Sequence, residues 1–312
     1  MSLSLRGSMV AIVTPFRQDR IDEDALRRLI EMQIERGTSA IVPCGTTGES
    51  ATLSHEEHDR VIELTVEAVR GRTSVIAGTG SNNTREAVRL TRHAREAGAD
   101  AALLITPYYN KPTQEGLYRH FRAVAEAVEL PLVLYNIPGR TAVNMAPETF
   151  GRLVRDCPTI VAVKEASGDL AQMRRMLDQT EGTLTLISGD DALTVDVLEL
   201  GGTGVISVLA NLVPQDVADM VRAFESGDRA GARRMQERLL PLTNALFLET
   251  NPIPVKTAMA RLGWIEPELR LPLCPMSEAN AARLEAAMDA YGLAGGAAHG
   301  SRGGPAARPT GR

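Results

Sequence analysis

Short apolar runs alternate with amphipathic stretches along nearly the whole chain. The first run, Met9–Phe16, precedes a helical pattern from Asp22 to Arg36, with Leu26, Leu29, Ile30 and Ile34 on one face and Gly37 as its stop. The second, Ser39–Cys44, leads through Gly45-Thr46-Thr47-Gly48-Glu49 to a helix opened by Ser54, where Glu57 completes a capping box. The third, Ser74–Gly78, is followed by a helix from Asn83, with Glu86 in the matching capping position. Ala101–Thr106 is the fourth, with a helix over Gln114–Val128. Leu132–Tyr135, Ile160–Lys164, Leu184–Ser188 and Gly204–Val208 complete a set of eight. A helical stretch follows each.

Such alternation demands a parallel sheet, because each helix carries the chain back across it. Eight β-then-α units in about 225 residues predict an α/β fold of the (β/α)8 TIM-barrel type, with an open doubly wound sheet as the alternative. Further helices are expected over Gln215–Glu225, Arg229–Leu248, Pro254–Leu262 and Ser277–Tyr291, more than eight units require. The expected organisation is a catalytic barrel over 1–225, a C-terminal helical extension over 226–293 and a disordered tail over 294–312. That tail is rich in glycine and alanine and cannot build a core.

Composition narrows the class. A 312-residue chain that is 44% hydrophobic suits one large barrel, and a net charge of −5 with both signs interspersed offers no surface to nucleic acid or anionic membrane. No apolar run approaches the roughly 18 residues of a membrane span. Met1–Ser8 is too short and polar for a signal peptide. Cys44, Cys157 and Cys274 are scattered and odd in number, which points away from a disulfide framework or zinc site and toward a cytoplasmic setting.

One residue stands out within the sixth run. Of 34 basic side chains only Lys111, Lys164 and Lys256 are lysine, yet Lys164 sits inside the apolar segment Ile160-Val161-Ala162-Val163-Lys164. A desolvated lysine can shed its proton and act as an amine nucleophile, which arginine cannot do. A strand-end lysine can equally snorkel to water, so its surroundings decide. Period-two alternation puts Ile160, Ala162 and Lys164 on one face, with small neighbours leaving room above the amine. In a barrel the chemistry lies at the carboxyl ends of the strands. There the second strand supplies Thr46 and Thr47, the fourth Tyr108 and Tyr109, the fifth Tyr135 and Arg140, and the seventh Gly189-Asp190-Asp191. Three of the chain's five tyrosines fall on two adjacent strand ends. An amine, two or three phenols, two threonine hydroxyls and a guanidinium fit a Schiff-base enzyme acting on a keto acid. The loops after strands seven and eight lack a glycine-rich, cationic phosphate cradle, and Gly78-x-Gly80 lacks the third glycine of a dinucleotide fingerprint. No metal-ligand spacing is present. His55 and His58 are expected as exposed helix residues, and Cys44 as a buried structural thiol.

The segments Gly45-Thr46-Thr47-Gly48-Glu49-Ser50, Tyr108-Tyr109-Asn110, Tyr135-Asn136-Ile137-Pro138-x-Arg140, Val163-Lys164-Glu165-Ala166 and Gly189-Asp190-Asp191 resemble the dihydrodipicolinate synthase family. That family belongs to the pyruvate-dependent class I aldolases, which also include N-acetylneuraminate lyase. The resemblance spans roughly Met9 to Leu293. It implies that pyruvate forms an imine and then an enamine on Lys164, which attacks L-aspartate-4-semialdehyde, the product then cyclising. This is the first committed step of the diaminopimelate route to lysine, and it needs no metal or organic cofactor. It further implies Tyr135 as proton relay, with Thr46 bridging it to a Tyr109 that reaches into a neighbouring subunit of a homodimer or homotetramer. Thr47 and adjacent backbone would hold the pyruvate carboxylate and Arg140 the carboxylate of the second substrate, Ile206 would lie beside the imine, and Gly189 is a further substrate-binding position. Sugar-acid lyases of the same superfamily typically lack that arginine, so Arg140 favours the synthase over another pyruvate lyase or a keto-sugar-acid aldolase. Gly139 departs from the serine more often seen there. An L-lysine effector site maps onto Ser50, Ala51, His55, His58, Asn82, Glu86 and Tyr108.

Overall fold

A computed structural model of the chain describes residues 3 and 5–293, so the expected disordered tail lies outside the described residues. Eight parallel strands close into a barrel: β1 Gly7–Ala11, β2 Ala40–Val42, β3 Ser74–Gly78, β4 Ala101–Ile105, β5 Leu132–Asn136, β6 Ile160–Glu165, β7 Thr185–Ser188 and β8 Gly204–Ser207. Each pairs with its neighbour in sequence, and β8 closes onto β1 through Ile206 opposite Met9. The doubly wound alternative is thereby excluded.

The first apolar run is not one strand. β1 ends at Ala11, and Phe16–Arg17 instead begins a small antiparallel hairpin with Arg20–Ile21. Pro15 cannot donate to a ladder, which breaks the run there. Helix starts follow local capping chemistry. Asp22 accepts from Ala25 N, and Ser54 and Glu57 form the expected capping box. At Asn83 the cap forms without the expected box, because Glu86 turns toward Ser81 and His55 instead.

Two layers of core result. Met9, Val42, Ile76, Leu103, Val133, Ala162, Ile187 and Ile206 fill the barrel, while Leu134, Val163, Phe121 and Phe150 pack between sheet and helices. The alternation along β6 slips once. A register shift between Leu132 and Val133 opposes Leu132 to Ile160 but Val133 to Ala162. Ile160 therefore packs in the outer layer, with Val161 against the inner one, and only Ala162 and Lys164 of the three face inward. Helix Pro214–Glu225 follows β8, and Arg229–Ala245, Ile253–Arg261 and Glu278–Tyr291 pack beyond it. Among the described residues no helix is long and apolar enough to cross a membrane.

Candidate active site

Lys164 occupies the penultimate position of β6 and is 5% exposed. Its Nζ stands 4.3 Å from the centroid of the Tyr135 ring, which lies directly opposite it on β5. Burial pulls the ammonium down to about 8, with Asp191 opposing the shift and Arg140 adding to it. A substantial fraction of the amine is therefore neutral near pH 8. Tyr135 is pushed up to about 12, chiefly by burial and partly by Glu165 and Asp190, against Arg140 and a hydrogen bond from Thr46. The phenol thus remains protonated while the amine beside it can lose its proton, which suits one to transfer protons and the other to attack.

Gly189 keeps the amine's approach open. A Cβ there would stand 2.8 Å from the Ala166 methyl and 3.1 Å from Lys164 Cε. Ile206, 1% exposed, and Ala162 form the apolar floor. Thr47 is buried and accepts a 3.0 Å hydrogen bond from Asn251 Nδ2, which leaves its own O–H to donate to a ligand. Arg140, exposed on the short helix Pro138–Thr141, donates from Nη2 to Asn251 O at 3.0 Å. Tyr109 is 88% exposed, with a left-handed φ of 72°, and projects away from its own chain.

Thr46, Tyr135 and Arg140 line a cavity of about 490 Å³ that Ser50, Ala51, His55, His58, Glu86 and Tyr108 also line. Lys164 is not on this wall but lies over the ring of Tyr135, which is. Asn82 stands off the wall, donating to Tyr108 O at 3.2 Å. His55 is exposed and its Nε2 pairs with Glu86 Oε1 at 2.8 Å. Ser81 and His55 hold the Glu86 carboxyl below its usual range. His58 departs from expectation. It is 5% exposed, its Nε2 meets Gly78 O at 2.9 Å, and burial lowers it to about 4, so it is neutral. A histidine on the inward face of an amphipathic helix loses its hydration, and its spacing three and four residues before Val61 and Ile62 marks that face. Cys44 is buried, and burial pushes its thiol up, as suits a structural role.

Four groups at the site carry no clear signal in the local sequence pattern. Lys256 is 1% exposed and its Nζ lies 2.5 Å from Glu49 Oε1 and 3.1 Å from Thr14 O. Arg270 N donates to the other oxygen of Glu49 at 3.3 Å. Asn251, Lys256 and Arg270 thus grip the Thr46–Glu49 turn from a segment some 200 residues away, a distance no local pattern reports. Lys256 alone leaves a trace, as one of three lysines in an arginine-rich chain. Glu165, the fourth, is fully buried beside Lys164.

These features define a barrel enzyme with a desolvated lysine amine at the carboxyl ends of its strands. The sequence profile of the dihydrodipicolinate synthetase family matches residues 4–291. A 4-hydroxy-tetrahydrodipicolinate synthase of Nitratidesulfovibrio vulgaris is 56% identical over 291 residues, covering 93% of this chain and 100% of that protein. Among solved structures, the chloride-inhibited dihydrodipicolinate synthase of Acinetobacter baumannii, complexed with pyruvate, superposes with a TM-score of 0.91 at 46% identity, covering 93% and 100% of the two chains. The enzyme of Cyanidioschyzon merolae with lysine bound gives 0.89 at 43%, covering 93% and 99%. The chain belongs to the dihydrodipicolinate synthetase family and is a lyase with 4-hydroxy-tetrahydrodipicolinate synthase activity.

Proposed function

We propose that the neutral amine of Lys164 adds to the ketone of pyruvate and expels water to give an imine. Loss of a methyl proton yields an enamine, whose carbon attacks the aldehyde of L-aspartate-4-semialdehyde. The substrate's own amine then attacks the imine carbon, closing the ring and releasing Lys164. Tyr135, hydrogen-bonded to Thr46, relays the protons, and Thr47 binds the pyruvate carboxylate. Arg140 receives the carboxylate of the second substrate, while Gly189 and Ile206 shape the space around the imine. The lysine itself supplies the electron sink, so the reading calls for no metal or organic cofactor. What carries it is the 4.3 Å stacking of a buried, pKa-lowered Lys164 on the Tyr135 ring.

Tyr109, almost wholly exposed, completes the relay of a second copy in a homodimer or homotetramer. L-Lysine binds as effector at the Ser50–His55–Glu86–Tyr108 wall, supported by the cavity that wall shares with Thr46, Tyr135 and Arg140 and by the relative solved with lysine bound. Three free cysteines agree with a cytoplasmic enzyme. We take residues 1–225 as the catalytic unit and 226–293 as its helical extension. The test is borohydride reduction in the presence of pyruvate followed by peptide mass mapping. A pyruvyl adduct on the peptide holding Lys164 is expected, and labelling elsewhere or nowhere refutes the imine.

A further inference from the structure

Strands β5 and β6 lie side by side with Tyr135 opposite Lys164 and, one step on, Asn136 opposite Glu165. Successive side chains of a strand point to opposite faces, so Tyr135 and Lys164 face into the barrel while Asn136 and Glu165 face the helices. The inner pair is the stacked amine and phenol. In the outer pair, Asn136 Nδ2 donates to both oxygens of Glu165, at 3.0 and 3.3 Å, and both residues are 0% exposed.

The outer pair is anchored on all sides. Ser167 N donates to Glu165 Oε1 at 2.7 Å, and Gln172 adds a further hydrogen bond to the carboxyl. Asn136 Nδ2 also reaches Asn144 Oδ1 at 2.8 Å, while Met145 N donates to Asn136 Oδ1 at 3.0 Å. Burial raises the Glu165 carboxyl above its usual range, against hydrogen bonds from Ser167, Asn136 and Gln172 that pull it down. Each of those hydrogen bonds favours the charged form of the carboxyl. A buried charge is costly where apolar packing would serve, so its presence here calls for a reason beyond stability. The same pair of strands carries the register shift at Leu132–Val133, so pairing below the slip does not dictate pairing above it.

We propose that Glu165, acting through Asn136, is a positioning residue that sets Lys164 against Tyr135. The clamp on the outer face pins the register above the slip and with it the spacing of the inner pair. The carboxylate also acts on the phenol through space: burial is the chief cause that raises Tyr135, Glu165 and Asp190 add to it, and Arg140 and the Thr46 hydrogen bond lower it, with Lys164 stacked on the ring. This inference rests on the reading of Lys164 as imine former and Tyr135 as proton relay.

Full-length Glu165→Gln, Asn136→Ala and the double variant test it, by steady-state kinetics across pH alongside borohydride trapping. In folded variants pyruvate should still be trapped on Lys164, with KM for pyruvate within about threefold and kcat down about tenfold or more. Glu165→Gln should also move the alkaline limb of kcat to lower pH, because a negative charge beside Tyr135 is gone, whereas Asn136→Ala should leave that limb in place. The double variant should be no slower than the slower single, since the two residues act as one unit. Unchanged kcat, losses that multiply, or losses carried by KM alone overturn the inference while leaving the imine intact. If Glu165→Gln does not fold, Asn136→Ala decides by its kcat and KM. Wild-type enzyme labelled elsewhere than Lys164 overturns the imine and this inference together.

Discussion

Glu49 and Lys256 form an ion pair at 2.5 Å with side chains 0% and 1% exposed, joining the turn after β2 to helix Ile253–Arg261. Burial lowers the Lys256 ammonium and Glu49 opposes that shift. The Phe16 ring lies beneath both Lys256 Nζ, at 4.3 Å, and Arg270 Cζ, at 4.2 Å. Removing one partner of a buried pair strands the other charge, at a cost of about 3–5 kcal/mol. Lys256→Met should lower stability by that order in urea unfolding, and Glu49→Gln with Lys256→Met should recover part of it. A loss below about 1 kcal/mol for the single variant would show the pair to be idle.

The acid limb of kcat/KM for pyruvate should fall near pH 8, reporting the free-enzyme ammonium of Lys164. Arg140 is among the causes that lower this group, so Arg140→Ala should shift the limb to higher pH. The same depression has a stability consequence. Between about 8 and the unfolded value near 10.4 the unfolded chain binds the extra proton, so the contribution of Lys164 becomes less unfavourable as pH rises through that window. A limb that stays fixed when Arg140 is removed would deny the coupling.

Gly189 leaves no room for a methyl group. Gly189→Ala sets a Cβ 3.1 Å from Lys164 Cε and 2.8 Å from the Ala166 methyl, so the amine must shift. A shift of a few tenths of an ångström should lower kcat/KM by less than the about 10²-fold that a full ångström costs, with a stability loss of about 1–3 kcal/mol from overpacking. Pyruvate kinetics and a thermal melt on one preparation separate the two.

L-Lysine should inhibit at millimolar concentration by displacing His55 from Glu86 and pairing its ammonium with that carboxylate. Glu86→Gln should weaken inhibition by about tenfold or more while leaving uninhibited rates near wild type. Wild-type rates that do not respond to lysine would end the proposal.

The barrel is legible in the sequence because eight apolar runs, each followed by an amphipathic stretch, leave few alternatives to a closed parallel sheet. Lys164 is legible because arginine fills almost every other basic position. What escapes depends on contacts between distant segments or on a break in a period. The slip in β6 turns Ile160 outward although strict alternation places it beside Lys164. Glu86 has the spacing of a capping residue, yet Ser81 and His55 offer it better partners. Asn251 and Lys256 meet Thr47 and Glu49 across 204 and 207 positions of chain.

The grip of Asn251, Lys256 and Arg270 on the Thr46–Glu49 turn bears on how the enzyme comes into being during translation. A ribosome that has released all eight strands has yet to synthesise the residues that fasten this turn. The Thr47 hydroxyl and the Glu49 carboxylate of the nascent barrel therefore stay unfastened until residues 251–270 have emerged and docked.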